Sequence, residues 1–268
     1  MTDYPIIEES GFKYIELGPE SDTPLVLLHG LFGTASNFDE VMKYFSKRRK
    51  VYLPLLPIFE MSLRKLSVMG LVEYVSSFID FKGLDRIDVL GNSLGGHLAL
   101  LYTLYYQQKV RSMILSGSSG LYESAFGTTF PRREDYEYIR KKVQLTFYDP
   151  EITTKDMVDE IFDVVNNRAK AIRIVKTAKS AIHHNVADQL YKIQVPTLLV
   201  WGIQDTITPI FVGEKFNELI KGSFLKTIDK CGHAPMLETP DEFNQILEEF
   251  LANLELESAN SEKGIEQK

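Results

Sequence analysis

Three residue types that together perform acyl transfer stand in separate glycine-containing motifs of this chain. Ser93 lies in Gly91-Asn92-Ser93-Leu94-Gly95, Asp205 in Trp201-Gly202-Ile203-Gln204-Asp205, and His233 in Gly232-His233-Ala234-Pro235. A serine hydroxyl is nearly inert at neutral pH, so it needs a base to take its proton, and the base needs a carboxylate to fix its tautomer. Ser93 is therefore expected as the nucleophile, His233 as general base and Asp205 as the group that orients the imidazole. A fourth motif, His29-Gly30-Leu31-Phe32-Gly33, directly follows an apolar run. A turn there can aim a backbone N–H at the reaction centre, so the amides of Leu31 and Leu94 are expected to receive a developing oxyanion.

Each motif also has a plainer reading. A lone Gly-x-Ser-x-Gly is weak, and its context decides: here it follows the apolar run 87–90 and precedes the helical stretch 97–102, the strand-turn-helix setting of a nucleophile elbow. A phosphate-cradling loop lacks support, since the chain has neither a Gly-Lys-Ser/Thr ending nor Gly-x-Gly-x-x-Gly. Taken alone, Asp205 could form only an Asx-turn and His233 only part of a loop. His97, in the first turn after Ser93, reads as structural. His183 and His184 read as solvated or as packing within an insertion. Cys231, the only cysteine, rules out an internal disulfide and reads as a small buried hydrophobe.

The elements that must position these residues come from periodicity. Short apolar runs bounded by turn residues at 14–17, 25–28, 51–53, 87–90, 113–115, 197–201 and 224–228 predict strands. Between them, apolar residues recur at helical spacing, as in Phe38, Val41, Met42 and Phe45, or Leu71, Val72, Val75, Phe78 and Ile79. Alternating strand and helix predicts an α/β fold, with a mostly parallel central sheet and helices on both faces. Asp205 and His233 then fall on loops past the carboxyl ends of strands, where sites in open α/β sheets collect.

From 120 to 190 the alternation stops, and helical stretches at 155–165 and 169–182 predict an inserted helical cap. The core is expected from 1–119 and 191–254, and the polar residues 255–268 are expected to fray. The 268 residues, 44% hydrophobic and 25% charged, describe an ordinary globular protein. A net charge of -7 opposes a nucleic-acid partner. No apolar run spans a bilayer, and the first residues lack a signal-peptide pattern, so a cytoplasmic protein without membrane contact is expected.

Through His29-Gly30, Gly91-Asn92-Ser93-Leu94-Gly95-Gly96, Trp201-Gly202-Ile203-Gln204-Asp205 and Gly232-His233-Ala234-Pro235, the sequence resembles the α/β-hydrolase superfamily over nearly its whole length. The resemblance implies the α/β-hydrolase fold and a Ser-Asp-His triad. Epoxide hydrolases and haloalkane dehalogenases of this fold place an aspartate where this chain has Ser93, so those activities are not implied. The stretch Phe147-Tyr148-Asp149-Pro150, with Gly91-Asn92-Ser93, is similar to the meta-cleavage carbon–carbon hydrolases. The chain departs from them at Leu31-Phe32-Gly33, where they carry a glycine-rich turn, and at Glu160, which falls where they carry a cap arginine. It also has Leu53-Pro54-Leu55-Leu56-Pro57-Ile58-Phe59 where the superfamily shows an aspartate and a Gly-His-Gly turn.

The expected function is hydrolysis of a carboxylic ester of a small, partly apolar molecule through an acyl-enzyme, with neither metal nor organic cofactor. Carbon–carbon, amide and thioester hydrolysis remain open, as does a ligand-receptor role on the same fold. Phe32, Phe126, Phe147 and Met236 are expected to line the substrate pocket.

Overall fold

A computed structural model of the chain describes residues 4–122 and 132–265, with side chains as far as 257. Eight strands form one sheet: β1 (Ile7–Glu9), β2 (Phe12–Leu17), β3 (Leu25–Leu28), β4 (Val51–Pro54), β5 (Ile87–Asn92), β6 (Val110–Ser116), β7 (Thr197–Gly202) and β8 (Ser223–Ile228). Their spatial order is β1-β2-β4-β3-β5-β6-β7-β8. The β1–β2 and β2–β4 pairs are antiparallel and all others parallel. Seven of these strands match the apolar runs of the sequence. The eighth, β1, is a three-residue edge strand whose Ile-Glu-Glu sequence carries no periodic signal. It is held by the two-residue turn Ser10-Gly11, both at positive φ, as a tight hairpin requires.

The helices are α1 (Asp39–Phe45), α2 (Val68–Phe81), α3 (Leu94–Tyr106), α4 (Tyr136–Gln144), α5 (Lys155–Asn166), α6 (Arg168–His183), α7 (Ile210–Leu219), α8 (Pro235–Glu238) and α9 (Pro240–Ile265). The two faces of the sheet bury separate cores, because successive side chains along a strand point to opposite sides. Val26 and Leu28 of β3, Val89 of β5 and Trp201 of β7 pack on one face with Phe78 of α2, Leu98 of α3 and Phe216 of α7. Leu25, Leu27, Leu90 and Val200 turn the other way, onto Met42 of α1 and Phe243 and Leu247 of α9. Each such side chain taken wholly out of water contributes about 1.5–3 kcal/mol.

Between β6 and β7 the chain builds α4, α5 and α6, and each has a side chain capping its first turn: Asp135 accepts from Tyr138 N, Thr154 from Met157 N, and Asn167 from the amides of Ala169 and Lys170. The amphipathic faces of α4 and α5 bury Ile139, Val143, Val158 and Val165 against one another. So small a core needs the main domain beneath it. Val164, Ile174 and Ala181 belong to the sheet's own core, and Val68 N donates to Ser180 Oγ at 3.0 Å. Arg173 donates to the carbonyl of Met61, fixing α6 onto the Leu53–Phe59 loop and its extension.

At the opposite end of the sheet, Asp88 of β5 is fully buried. It accepts from Arg111 Nε at 2.8 Å, Ser112 Oγ at 2.6 Å and Arg49 Nη1 at 2.9 Å. Arg49 Nη2 also donates to Glu255 at 2.6 Å. That contact corrects the expectation that the chain frays from 255: α9 continues through Ile265, and its Glu255 is drawn onto the Arg49–Arg111 pair. No helix among the described residues is long and apolar enough to cross a membrane.

Removing one partner from a buried ion cluster leaves the others uncompensated. Asp88→Ala is therefore expected to lower the unfolding free energy by about 3–5 kcal/mol in urea titration. Glu255→Ala, at a side chain 55% exposed, is expected to cost under about 1 kcal/mol. Equal losses would refute the division of labour between the two carboxylates.

Candidate active site

Strand β5 ends at Asn92, α3 begins at Leu94, and Ser93 is the single residue that turns the chain between them, with φ 55° and ψ -119°. A non-glycine residue in that conformation costs of order 1–3 kcal/mol and persists only where its surroundings fix it. Here Ser93 N donates to Ser116 O at 3.1 Å, and Ser93 O accepts from His97 N and Ser119 N, each at 3.1 Å. The flanking glycines are demanded by crowding. A Cβ on Gly91 would lie 2.2 Å from Gly95 O, and one on Gly95 would lie 1.9 Å from Leu28 O. The strand, the helix and the neighbouring β3 can approach this closely only without side chains there.

Asp205 follows β7 and His233 follows β8. His233 Nδ1 lies 2.9 Å from Asp205 Oδ2. The other carboxylate oxygen accepts from Ile207 N at 2.8 Å and Thr208 N at 2.9 Å. Thr208 Oγ1 donates to Asp205 Oδ2 at 2.8 Å. Asp205 is thus both an Asx-turn former and the imidazole's partner, two readings that sequence alone sets against each other. Burial works to raise its carboxyl, but the His233 imidazole and the donors from His233 and Thr208 outweigh it and hold the group below the usual carboxylate range. With Nδ1 committed to Asp205, Nε2 is the ring nitrogen left for the cavity.

Ser93 and His233 line one cavity of about 1080 Å3 beneath the cap. Its floor includes Gly30, Leu31 and Leu94; its walls include Phe32 and Leu237 from the core side and Val143, Phe147, Met157, Ile161 and Ile174 from the cap. Of the residues expected in the pocket, Phe32 and Phe147 line it, while Phe126 lies outside the described residues. Met236 is a correction. It is buried within the core beside Phe243 and Leu247, because the short helix α8 turns that side chain inward and gives Leu237 to the cavity.

Several residues that position the site escaped the sequence reading. Asn92 Nδ2 donates to Ser116 O at 2.9 Å and to His233 O at 3.0 Å, tying the turn at Ser93 to the histidine loop. Glu238 accepts from Gly232 N at 2.6 Å with one oxygen and from Tyr148 N and Asp149 N with the other, at 2.7 and 2.9 Å. His233 N donates to Thr146 O at 2.7 Å. The loop that bears the imidazole is therefore joined to the segment of the cap between α4 and α5. His29 Nε2 accepts from Leu56 N at 3.0 Å, so its Nδ1, 2.9 Å from Gly30 O, carries the proton. Burial pushes its pKa down, which keeps the ring neutral for this bridge. The Leu53–Phe59 loop, which has no family-like motif, thus anchors the turn that bears Leu31. The only sequence hints were positional: a Thr three residues after Asp205, and an acid five residues after His233.

His97 is wholly buried against the returning cap segment, with its ring 5.9 Å from that of His184, in keeping with a structural part. His183 is exposed. Among the described residues no group of three or more His, Cys, Asp or Glu side chains is placed to hold a metal ion.

The chain is 40% identical to MGS-MChE2, an alpha/beta hydrolase enzyme from the metagenome of lagoon sediments at Mar Chica, Morocco; the match covers 93% of this chain and 98% of that one, with a TM-score of 0.77. It is 29% identical to a 2-hydroxy-6-oxononadienedioate/2-hydroxy-6-oxononatrienedioate hydrolase of Klebsiella pneumoniae over 66% of each chain, just under two thirds of that relative's length. It is 24% identical to the monoacylglycerol lipase ABHD6 of Mus musculus, over 92% of this chain and 81% of that one. The sequence profile described as the alpha/beta hydrolase fold matches residues 23–153 and 161–240, well over half of the chain. This chain belongs to the alpha/beta hydrolase fold family.

Proposed function

We propose that the protein is a serine hydrolase that cleaves a carboxylic ester of a small, partly apolar molecule. The observation that carries this reading is the meeting of Ser93, in its fixed positive-φ turn, with the Asp205–His233 pair on one largely apolar cavity. Ser93 Oγ attacks the ester carbonyl while His233 Nε2 takes its proton. The amides of Leu31 and Leu94 receive the oxyanion, and the start of α3 adds the positive end of a helix dipole there. The imidazolium returns its proton to the departing alcohol. Water then attacks the acyl-enzyme by the same base, and the acid is released.

Carbon–carbon cleavage is the rival reading, favoured by the name of the Klebsiella relative. Its named substrate is a dioate, a dicarboxylate, whereas the cap wall of this cavity sets four carboxylates, Glu134, Asp135, Asp156 and Glu160, against two cations, Arg132 and Arg133. Ester hydrolysis makes no such demand for a matching cation. A ligand-receptor role is separated from both by turnover.

Wild-type protein is expected to gain the mass of a fluorophosphonate, and Ser93→Ala to gain none. Short-chain p-nitrophenyl esters report the rate, and Ser93→Ala is expected to lower kcat by about a million-fold. Equal labelling of the two proteins would remove Ser93 from the mechanism. Against a parallel meta-cleavage dienoate substrate, faster turnover of the dienoate than of every ester would decide for the carbon–carbon reading.

Acid is expected to depress kcat/KM, because a protonated imidazole cannot take the Ser93 proton. Asp205, held below the usual carboxylate range, stays ionised across that fall, so the acid limb belongs to the imidazole. A profile flat between about pH 5 and 8 excludes His233 as base.

A further inference from the structure

Thr208, three residues beyond Asp205, is wholly buried, and its backbone is held from two sides. Its amide donates to Asp205 Oδ1 at 2.9 Å, and its carbonyl accepts from Trp201 Nε1 at 2.8 Å. Trp201 is itself buried in β7, and α7 packs so closely on the indole that a Cβ on Gly213 would lie 2.8 Å from Trp201 Cδ2. Pro209, at φ -55°, then leads directly into α7. The sheet and α7 therefore fix the place of Thr208 without help from the histidine loop.

From that place the hydroxyl meets both members of the pair. Thr208 Oγ1 lies 2.8 Å from Asp205 Oδ2 and 3.2 Å from His233 Nδ1, and those two atoms lie 2.9 Å apart, so the three form a nearly equilateral triangle. A hydroxyl has one hydrogen, and a carboxylate oxygen can only accept. The O–H therefore goes to Oδ2, which receives it beside the imidazole N–H, while Oδ1 receives the amides of Ile207 and Thr208. Gly117, at the end of β6, also lies against the pair. A Cβ there would sit 3.0 Å from His233 Nδ1 and 3.2 Å from Asp205 Oδ2, so that side supplies no donor side chain. Thr206 sends its own hydroxyl elsewhere, to Leu145 O at 2.9 Å. Asp205 is the one carboxylate among the described residues within ion-pair distance of the His233 ring. Glu238 is turned to the amides of Gly232, Tyr148 and Asp149, Asp229 is exposed and bonded to Gln204, and Lys230 is exposed. Burial pushes the Cys231 thiol up to about 12, which keeps it neutral. The charged residues Arg132, Arg133, Glu134, Asp135, Asp156 and Glu160 lie across the cavity on the cap wall.

We propose that Thr208 is a positioning residue of the triad: its hydroxyl holds Asp205 Oδ2 where His233 Nδ1 meets it and takes up part of that oxygen's charge, which lowers the pH at which the imidazole gives up its proton. The inference rests on the serine-hydrolase reading for its bearing on turnover, but not for its effect on the ring. A hydrogen bond to a carboxylate favours the ionised form and draws on its charge. Without the hydroxyl, the charge on Oδ2 is directed to the imidazole alone, the imidazolium is held more tightly, and the ring keeps its proton to higher pH. The two amides on Oδ1 remain, because they belong to the backbone, so the carboxylate stays in place as the balance on Oδ2 changes.

The test is an NMR titration of the His233 ring, its signal assigned by its loss in His233→Gln. Thr208→Val puts a methyl where the hydroxyl stood and is expected to raise the titration midpoint by about half a pH unit. The acid limb of kcat/KM for a p-nitrophenyl ester is expected to move up with it, which at a fixed pH below the limb costs about threefold in rate. Thr208→Ser keeps the donor and is expected to restore the wild-type midpoint. Thr206→Val, which loses a hydroxyl bond outside the pair, is expected to leave the midpoint in place. Because the effect runs through the carboxylate, Thr208→Val is expected to move nothing in an Asp205→Asn background. A merely structural role would lower the melting temperature of Thr208→Val and leave the midpoint unmoved, and that result overturns the proposal, as does a midpoint that falls. A shift that persists in Asp205→Asn overturns the route through Asp205. Should Thr208→Val fail to fold, the smaller Thr208→Ala carries the same expectation. The titration needs no turnover: if no ester is cleaved, the ester reading fails by itself and the midpoints still decide the role of Thr208.

Discussion

The close approach of β3, β5 and α3 around Ser93 is the constraint on which the rest of the molecule depends. Gly91 and Gly95 let backbone meet backbone where any side chain would collide, and the turn between strand and helix can be made only by a residue in an unfavourable conformation. The hydrogen bonds to Ser116, Ser119 and His97 hold it there. The same packing brings Leu94, the first residue of α3, and Leu31, just past β3, to one floor. Steric crowding, not a special affinity of serine for the turn, exposes the hydroxyl.

From that turn the structure works outward by polar ties between loops. Asn92 reaches from the end of β5 to the carbonyl of His233, and Asp205, braced by the amides of Ile207 and Thr208, holds the ring itself. Glu238 and Thr146 fasten the histidine loop to residues 146–149, where the chain passes between α4 and α5. The cap is also fastened through α6 at Ser180 and Arg173. A cavity between two layers thus has its imidazole on the seam, so the volume of the cavity and the position of the imidazole are set by the same contacts.

His29 illustrates how a motif can be recognised for one reason and retained for another. Its place after β3 suggests a turn that aims an amide. Its ring joins that turn to Leu56 in a loop with no recognisable pattern. Leu56 and Ile58 are buried in the main core, and the carbonyl of Met61 receives Arg173 from the cap. Hydrophobic burial and two hydrogen-bonding side chains do the work that a conserved-looking turn would be expected to do, and this is why the loop could look foreign by sequence.

What the sequence by itself determined rests on short-range physics. Apolar periodicity over a few residues fixed seven of the eight strands and helices α5 and α6 of the cap, and the glycine-flanked Ser93 together with the loop positions of Asp205 and His233 marked the candidate site. Those signals are local, because steric limits on a turn and the period of a strand are decided by neighbours in the chain. Tertiary structure alone decided the rest. Asn92 and His233 are 141 residues apart, and Tyr148 and Glu238 are 90 apart, distances over which no spacing rule operates. Met236 went to the core and Leu237 to the cavity by the rotation of one short helix, and Glu255 of α9 meets arginines brought to it from just past α1 and from β6. The charge of Glu160 is plain in the sequence, but its place on the wall of the cavity that holds Ser93 exists only once α5 has packed down.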